Sequence, residues 1–172
     1  AGEAGVLVDA LAAGEVPLRV THNDTKLNNV LLDAHTQDGV CVIDLDTVMP
    51  GLSAYDFGDS IRFGANAAAE DETDLTRVRL ELPMFEAYAR GYLGAVGDTL
   101  NRREIALLPM GAKLMTLECG LRFLADYLNG DKYFRVRRPT HNLERARNQF
   151  ALVQDMERNW DAMGEIIGKL AR

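Results

Sequence analysis

Apolar residues recur at three- and four-residue spacings over 55–69, 75–96, 103–128 and 142–170, which predicts four helical segments filling the second two-thirds of the chain. Pro83 and the glycines Gly91 and Gly94 are expected to shorten or kink the second. In the third, Leu114, Leu117, Leu121, Leu124 and Leu128 share one face; in the fourth, Leu143, Ala146, Phe150, Val153, Trp160, Met163 and Ile167 approximate another. Both stripes read as core.

The front of the chain has a different rhythm. Small and aliphatic residues over 4–13 predict a short helix, closed by Gly14-Glu15-Val16-Pro17. An extended stretch over 18–21 then runs into the polar segment His22-Asn23-Asp24-Thr25-Lys26-Leu27-Asn28-Asn29, with Val30-Leu31-Leu32 directly behind it. A second apolar run, Val40-Cys41-Val42-Ile43, follows a loop containing Asp38-Gly39, so the two runs predict a β-hairpin. The fold class is α+β, mostly helical: a small β element in front of a helical body, with no internal repeat. At 172 residues one domain over 1–172 is expected.

Composition narrows the function classes. With 47% apolar and 26% charged residues the chain is an ordinary globular one. A formal charge of −7 excludes nucleic acid as a main partner, since phosphate backbones are held by massed Lys and Arg. The one basic cluster, Arg135, Arg137 and Arg138, is small, and a solvated or ion-paired patch is its plainer reading. Cys41 and Cys119 form neither a disulfide framework nor a metal spacing and read as reduced core residues of a cytoplasmic protein. No apolar run is long enough to span a membrane and no signal peptide is visible, so no membrane partner is expected. The chain opens on Ala1, which reads as a processed product or a piece of a longer chain.

Hairpin pairing has a chemical consequence. Antiparallel geometry brings Asn29, ahead of the first strand, close to Asp44, behind the second, and the loop holding Asp24 enters at that same end. Each of these residues alone is ordinary turn chemistry. Together, an amide and two carboxylates form a hard-oxygen set suited to Mg²⁺, which takes one or two carboxylates and completes its shell with water and phosphate. Such a set fits phosphoryl transfer, with Asp24 accepting a hydroxyl proton and Asn29 and Asp44 holding metal.

The motif His22-x-Asp24-x-x-x-x-Asn29 followed by Ile43-Asp44 resembles the catalytic loop and metal-binding pair of the aminoglycoside and choline phosphotransferase-like kinases, relatives of the protein kinases. A longer match, from Thr21 to Asp33, then Val42 to Gly51 and Tyr55-Asp56-Phe57-Gly58-Asp59, resembles the N-acetylhexosamine 1-kinase branch. The resemblance implies a catalytic Asp24, magnesium ligands Asn29 and Asp44, and a loop-ordering His22, these last three forming the nucleotide side of the site. Asp46 faces the same side as Asp44 and is a further metal candidate. Lys26 is placed to meet the transferring phosphate or else faces solvent. Asp56-Phe57-Gly58 spells the protein-kinase metal motif too far from Asn29 to serve, so Asp56 reads as a helix N-cap or loop anchor. His35 and His141 read as surface or capping residues. Arg62, Glu118 and Arg122 are substrate candidates, although Glu118 and Arg122, with Asp126 continuing the row, also read as an ordinary helical ion pair.

The implied cofactors are ATP and Mg²⁺, and the implied partner is a small-molecule acceptor, a sugar such as an N-acetylhexosamine before an aminoglycoside, choline or homoserine. The resemblance covers the C-terminal catalytic lobe of the family; no lysine precedes Asp24, so the nucleotide-gripping N-terminal lobe is expected to be absent, with weak ATP binding and slow turnover as the result. Exposed lobe surface is a route to homo-oligomers. Two other classes share the same residues. A non-catalytic kinase-like binding module tolerates Asp24→Asn, and a metal-dependent phosphate hydrolase releases phosphate with no acceptor present.

Overall fold

The computed structural model describes residues 2–171. The chain runs α1 (Val6–Ala12), β1 (Arg19–Thr21), β2 (Val30–Leu32), β3 (Gly39–Val42), β4 (Met49–Gly51), α2 (Ser53–Gly64), α3 (Leu82–Val96), α4 (Arg102–Ala106), α5 (Leu108–Leu128), α6 (His141–Arg158) and α7 (Trp160–Leu170). The α+β, mostly helical class is the one observed. No described helix is long and apolar enough to cross a membrane.

Strands β2 and β3 form the expected antiparallel hairpin, with Val30 opposite Val42, Leu31 opposite Cys41 and an irregularity at Leu32, which pairs with Gly39. A second pairing was not anticipated: β1 runs antiparallel to β4, with Arg19 opposite Gly51. Three-residue strands are too short to show an alternation. This second ribbon clamps both ends of the 22–48 segment to one place, from which the hairpin projects.

The four helical segments are subdivided where local chemistry demands it. Pro83 stands in the first turn of α3, where its missing N–H costs nothing, so the helix begins there and the predicted 75–81 portion is a 3-10 turn and an extended stretch. Pro109 likewise opens α5 and separates it from α4, and Asn159 ends α6 before α7. Helix α2 begins earlier than expected, at Ser53, and stops at Gly64. Gly91 and Gly94 lie inside an unbroken α3, in open space.

Phe57 and Ile61 of α2, Phe85 of α3, Leu108 of α5, Leu152 and Met156 of α6 and Met163 of α7 meet in the main core. Phe57 and Phe85 pack edge to face at 5.8 Å between ring centroids, and each fully buried aromatic contributes about 2–3 kcal/mol through removal from water. Helices α2 and α5 approach so closely that a Cβ added to Gly58 would lie 2.4 Å from the Gly111 carbonyl oxygen, and one added to Gly111 would lie 2.2 Å from that of Ala54. A second, smaller cluster of Leu7, Ala10, Val16, Leu52, Leu107 and Met110 holds α1 on the body.

Three expectations about burial are corrected. The leucine stripe of α5 is not core: Leu121 is 52% and Leu128 73% exposed, and the others are half-buried. The buried face of α5 is instead Leu108, Ala112, Thr116 and Phe123, with Gly120 admitting Phe150. Cys41 is exposed, because both faces of the projecting hairpin are open. His141 is not a surface residue; it is 1% exposed, with Nε2 on Asp71 Oδ2 at 3.1 Å and Nδ1 accepting the Arg137 N–H. The stripe over α6 and α7 is largely core, with Ala146, Val153, Met163 and Ile167 buried.

Candidate active site

The site is built on the 22–29 loop, and that loop is held from below. Asp56, in the first turn of α2, does not cap its own helix; its Oδ2 accepts the N–H of His22 and its Oδ1 that of Asn23, each at 2.8 Å. Its main-chain oxygen accepts Thr25 Oγ1 at 2.6 Å. Asn23 takes a left-handed conformation, φ 63°, that turns the loop, and Thr47 Oγ1 donates to the His22 carbonyl at 2.6 Å. Of the two readings offered for Asp56, loop anchor is the one observed.

His22 ties the loop to the hairpin. Its Nε2 lies 3.0 Å from the Ile43 carbonyl oxygen, which can only accept, so Nε2 carries the proton. Its Nδ1 is buried without a partner among the described residues. The Ile43 N–H donates to the Asn29 carbonyl at 2.9 Å, which closes the hairpin where the strand register predicts and seats Asn29 beside the residue preceding Asp44.

Asn29 is buried, and its Nδ2 donates to the Asp24 carbonyl and to Asp24 Oδ2, both at 2.8 Å. Lys26 Nζ reaches the same Oδ2 at 2.6 Å. Burial pushes the Asp24 carboxyl up, but the hydrogen bonds from Lys26 and Asn29 and the Lys26 charge outweigh it and hold the group below the usual carboxylate range. Asp24 is therefore an anion at neutral pH. Lys26 is paired with Asp24.

Asp44 sits at φ 65°, a left-handed conformation at the exit of the hairpin. A hydrogen bond shared with Asp46 raises its carboxyl, helped by burial and by the charges of Asp46 and Asp24. Among the described residues no three carboxylate, imidazole or thiol groups gather tightly enough to hold an ion alone. The donors on offer are the Asn29 Oδ1, left free when Nδ2 turns to Asp24, and the Asp44 carboxylate, a hard pair that fits Mg²⁺ completed by water and phosphate.

Beside Asp24 and Lys26 opens a cavity of about 540 Å³. All three substrate candidates read from the sequence, Arg62, Glu118 and Arg122, line it. Arg62 is buried between Asp59 and Glu70, at 2.8 Å from each; burial works against its charge, but the acidic groups around it raise its pKa further. Glu118 and Arg122 are a loose pair at 3.6 Å, both about half exposed, and burial raises the Glu118 carboxyl. Cys119 is also on the wall, its thiol pushed up to about 11 by burial, so it is no nucleophile at neutral pH.

The sequence reading missed Asp59, Glu70, Phe63, Tyr133, Phe134 and Arg145, all on the cavity wall. Arg122 rests over Tyr133 and Phe134, 5.7 and 5.4 Å from their ring centroids. Asp59 Oδ2 and Arg145 Nε are buried on this wall without hydrogen-bond partners among the described residues, Arg145 Nε standing 3.7 Å from Glu70 Oε2. The Asp59/Arg62 spacing on α2 and the paired aromatics behind Gly130-Asp131 were the available signals. Of the basic cluster only Arg135 reaches the cavity; Arg138 is paired with Glu144 and Asp71.

A carboxylate on a short loop, an amide and a second carboxylate at a hairpin mouth, and a helical body behind them are the arrangement expected of a kinase-like phosphotransferase. The match extends beyond the motif: the model of the phosphotransferase enzyme family (APH) covers residues 4–105, more than half of the chain, and the chain belongs to that family.

Proposed function

We propose that this chain is the catalytic part of an ATP- and Mg²⁺-dependent kinase that phosphorylates a hydroxyl group of a small molecule seated in the cavity beside Asp24, the anomeric hydroxyl of an N-acetylhexosamine in particular. The observation that carries the reading is the position of the anionic Asp24 carboxylate, on the wall of a ligand-sized cavity and within one residue's reach of Asn29. Asp24 accepts the hydroxyl proton as the oxygen attacks phosphorus. Lys26 leaves Asp24 for the transferring phosphoryl group as negative charge accumulates there. Asn29 and Asp44, with Asp46 behind Asp44, hold Mg²⁺, which neutralises charge on the phosphates. Asp59, Arg62, Glu118 and Arg122 offer donors and acceptors to ring hydroxyls.

The cavity wall favours a neutral acceptor over a polycation. Lys26, Arg62, Arg122, Arg135 and Arg145 balance Asp24, Asp59, Glu70 and Glu118, so an aminoglycoside or choline meets no excess of negative charge. The sugar itself rests on the resemblance of the 21–59 segment to N-acetylhexosamine 1-kinases. A cytoplasmic location fits the two unpaired cysteines and the proposed use of ATP.

Acceptor-dependent ADP production with Mg²⁺ and ATP, across N-acetylhexosamines, hexoses, choline, homoserine and an aminoglycoside, tests the proposal. Turnover that needs an N-acetylhexosamine and is lost in Asp24→Asn is expected. Phosphate release with no acceptor would move the assignment to hydrolysis, and preference for a cationic acceptor would discard the sugar.

A further inference from the structure

Asp126 was read as the end of an exposed row of charges on α5. It is turned the other way, and is 7% exposed. Its Oδ1 accepts the N–H groups of Lys132 and Tyr133, and its Oδ2 accepts that of Phe134 and the Nδ2 of Asn142, all at 2.9 Å. The Asp126 carbonyl oxygen takes the Asp131 N–H at 2.8 Å, and Asn142, itself fully buried, also donates to Asp131 Oδ1 at 2.9 Å. Gly130 at φ 85° and Asp131 at φ 54° reverse the chain, so that three successive amides point inward at one carboxylate. Among the described residues no cation is paired with this anion; peptide and amide dipoles hold it, and although burial pushes it up they keep it below the ordinary carboxylate range.

A buried carboxylate with four donors is a costly way to end a helix, and what it secures is the far wall of the cavity. The gathered residues place the Tyr133 and Phe134 rings side by side, 4.8 Å between centroids, with Phe134 also on Phe123 at 4.7 Å and the Arg122 guanidinium laid across both loop aromatics. Tyr133 and Phe134 line the same cavity as Asp24; Asp126 does not line it.

We propose that Asp126 is the positioning residue for the acceptor: it touches no substrate, but by collecting the amides of residues 132–134 it fixes the Tyr133, Phe134 and Arg122 wall against which the acceptor is held. The inference rests on the reading of the cavity as the acceptor site. Without the common acceptor the loop samples conformers in which Tyr133 leaves the wall, and acceptor affinity falls by the fraction of time the wall is absent. The metal and nucleotide donors stand on the 22–29 loop and the hairpin, which Asp56 anchors independently.

The test is Asp126→Asn in the full chain, which keeps the shape but presents an NH₂ to amide donors. Dissociation constants are measured by calorimetry for Mg²⁺·ADP and for whichever of N-acetylglucosamine, glucose, choline, homoserine and kanamycin the wild type binds. The expected result is a split: acceptor binding weakened about tenfold or more, the loss associated with one or two hydrogen bonds to a charged group, and Mg²⁺·ADP binding changed less than about twofold. Equal acceptor affinity in the variant overturns the proposal, and so does a parallel loss of both affinities, which marks a merely structural residue. Should the variant not fold, amide exchange in the wild type decides: saturating acceptor slows exchange at Lys132, Tyr133 and Phe134, and unchanged rates there overturn it. A wild type that binds none of the five removes the acceptor-site reading, and this proposal with it, whereas acceptor binding untouched by Asp126→Asn removes this proposal alone.

Discussion

The hairpin and the helical body follow opposite rules. In the body, Phe57, Phe85, Leu108 and Leu152 are out of contact with water and α2 and α5 touch backbone to backbone. On the hairpin, Leu31, Val40, Val42 and Ile43 are all exposed, and Asp44 holds a left-handed conformation with no packing around it. The candidate reacting groups stand at the junction of the two. What the contrast teaches is how such a site is kept in place: carboxylates from the helices, one half-buried and one buried, reach out and collect consecutive loop amides, Asp56 for the loop of Asp24 and Asp126 for the loop of Tyr133. Rigidity is delivered from the body to the edge through hydrogen bonds, because the edge has no core of its own.

The sharpest way to break this picture is to separate chemistry from anchoring. Asp24→Asn is expected to lower acceptor-dependent ADP production about a thousandfold, the middle of the range for losing a catalytic base, while unfolding free energy from thermal melts shifts by about 1 kcal/mol or less. Asp56→Ala leaves every reacting group present but strands two amides, and is expected to cost about 2–4 kcal/mol by denaturant melts and about a hundredfold in rate. Equal rate losses with no stability cost for Asp56→Ala would mean that the loop holds its shape unaided.

Within the body, Gly111→Ala must push α2 away and is expected to destabilise by about 2–4 kcal/mol, read as a lowered urea midpoint. A smaller, pH-dependent effect is expected at Glu104, which is buried and binds Arg19 and Ser53. Burial pushes its carboxyl up, but Arg19, the Asn101 N–H and Ser53 outweigh this and hold it below its ordinary value of 4.5. Its stabilising contribution is thus fully present above that value and is lost as pH falls through the lower folded one. Wild type and Glu104→Gln should differ by a constant amount above about pH 5 and converge in acid. The least effect is expected for Arg90→Ala, whose pair with Glu86 is exposed: about 0.5 kcal/mol or less by thermal melts, falling further in salt.

Much of this was legible in the chain. His22, Asp24, Asn29 and Asp44 stand out as candidates because phosphoryl transfer would require fixed residue types at fixed spacing, and the Asn29 to Ile43 closure follows from strand pairing alone. Helix existence was legible from periodicity; the breaks at Pro83, Pro109 and Asn159 needed the local rule that a proline opens a helix more readily than it kinks one. The leucine stripe of α5 misled because periodicity identifies a face without saying which neighbour covers it. Asp126 and His141 were missed for a related reason: a buried polar residue is defined by partners far along the sequence, and the Asp71 to His141 and Asp126 to Phe134 bonds leave no periodic trace.

The contact of Gly58 with Gly111 has a consequence for how this site can change over generations. Helix α2 carries Asp56, Asp59 and Arg62, and α5 carries Glu118, Arg122 and Asp126, so the spacing of the two glycines sets the distance between opposing walls of the cavity. A single base change turns either codon into alanine and wedges the walls apart at once. The chemistry of the cavity wall is therefore free to drift by exchanging side chains, whereas its width is barred from drifting by small adjustments.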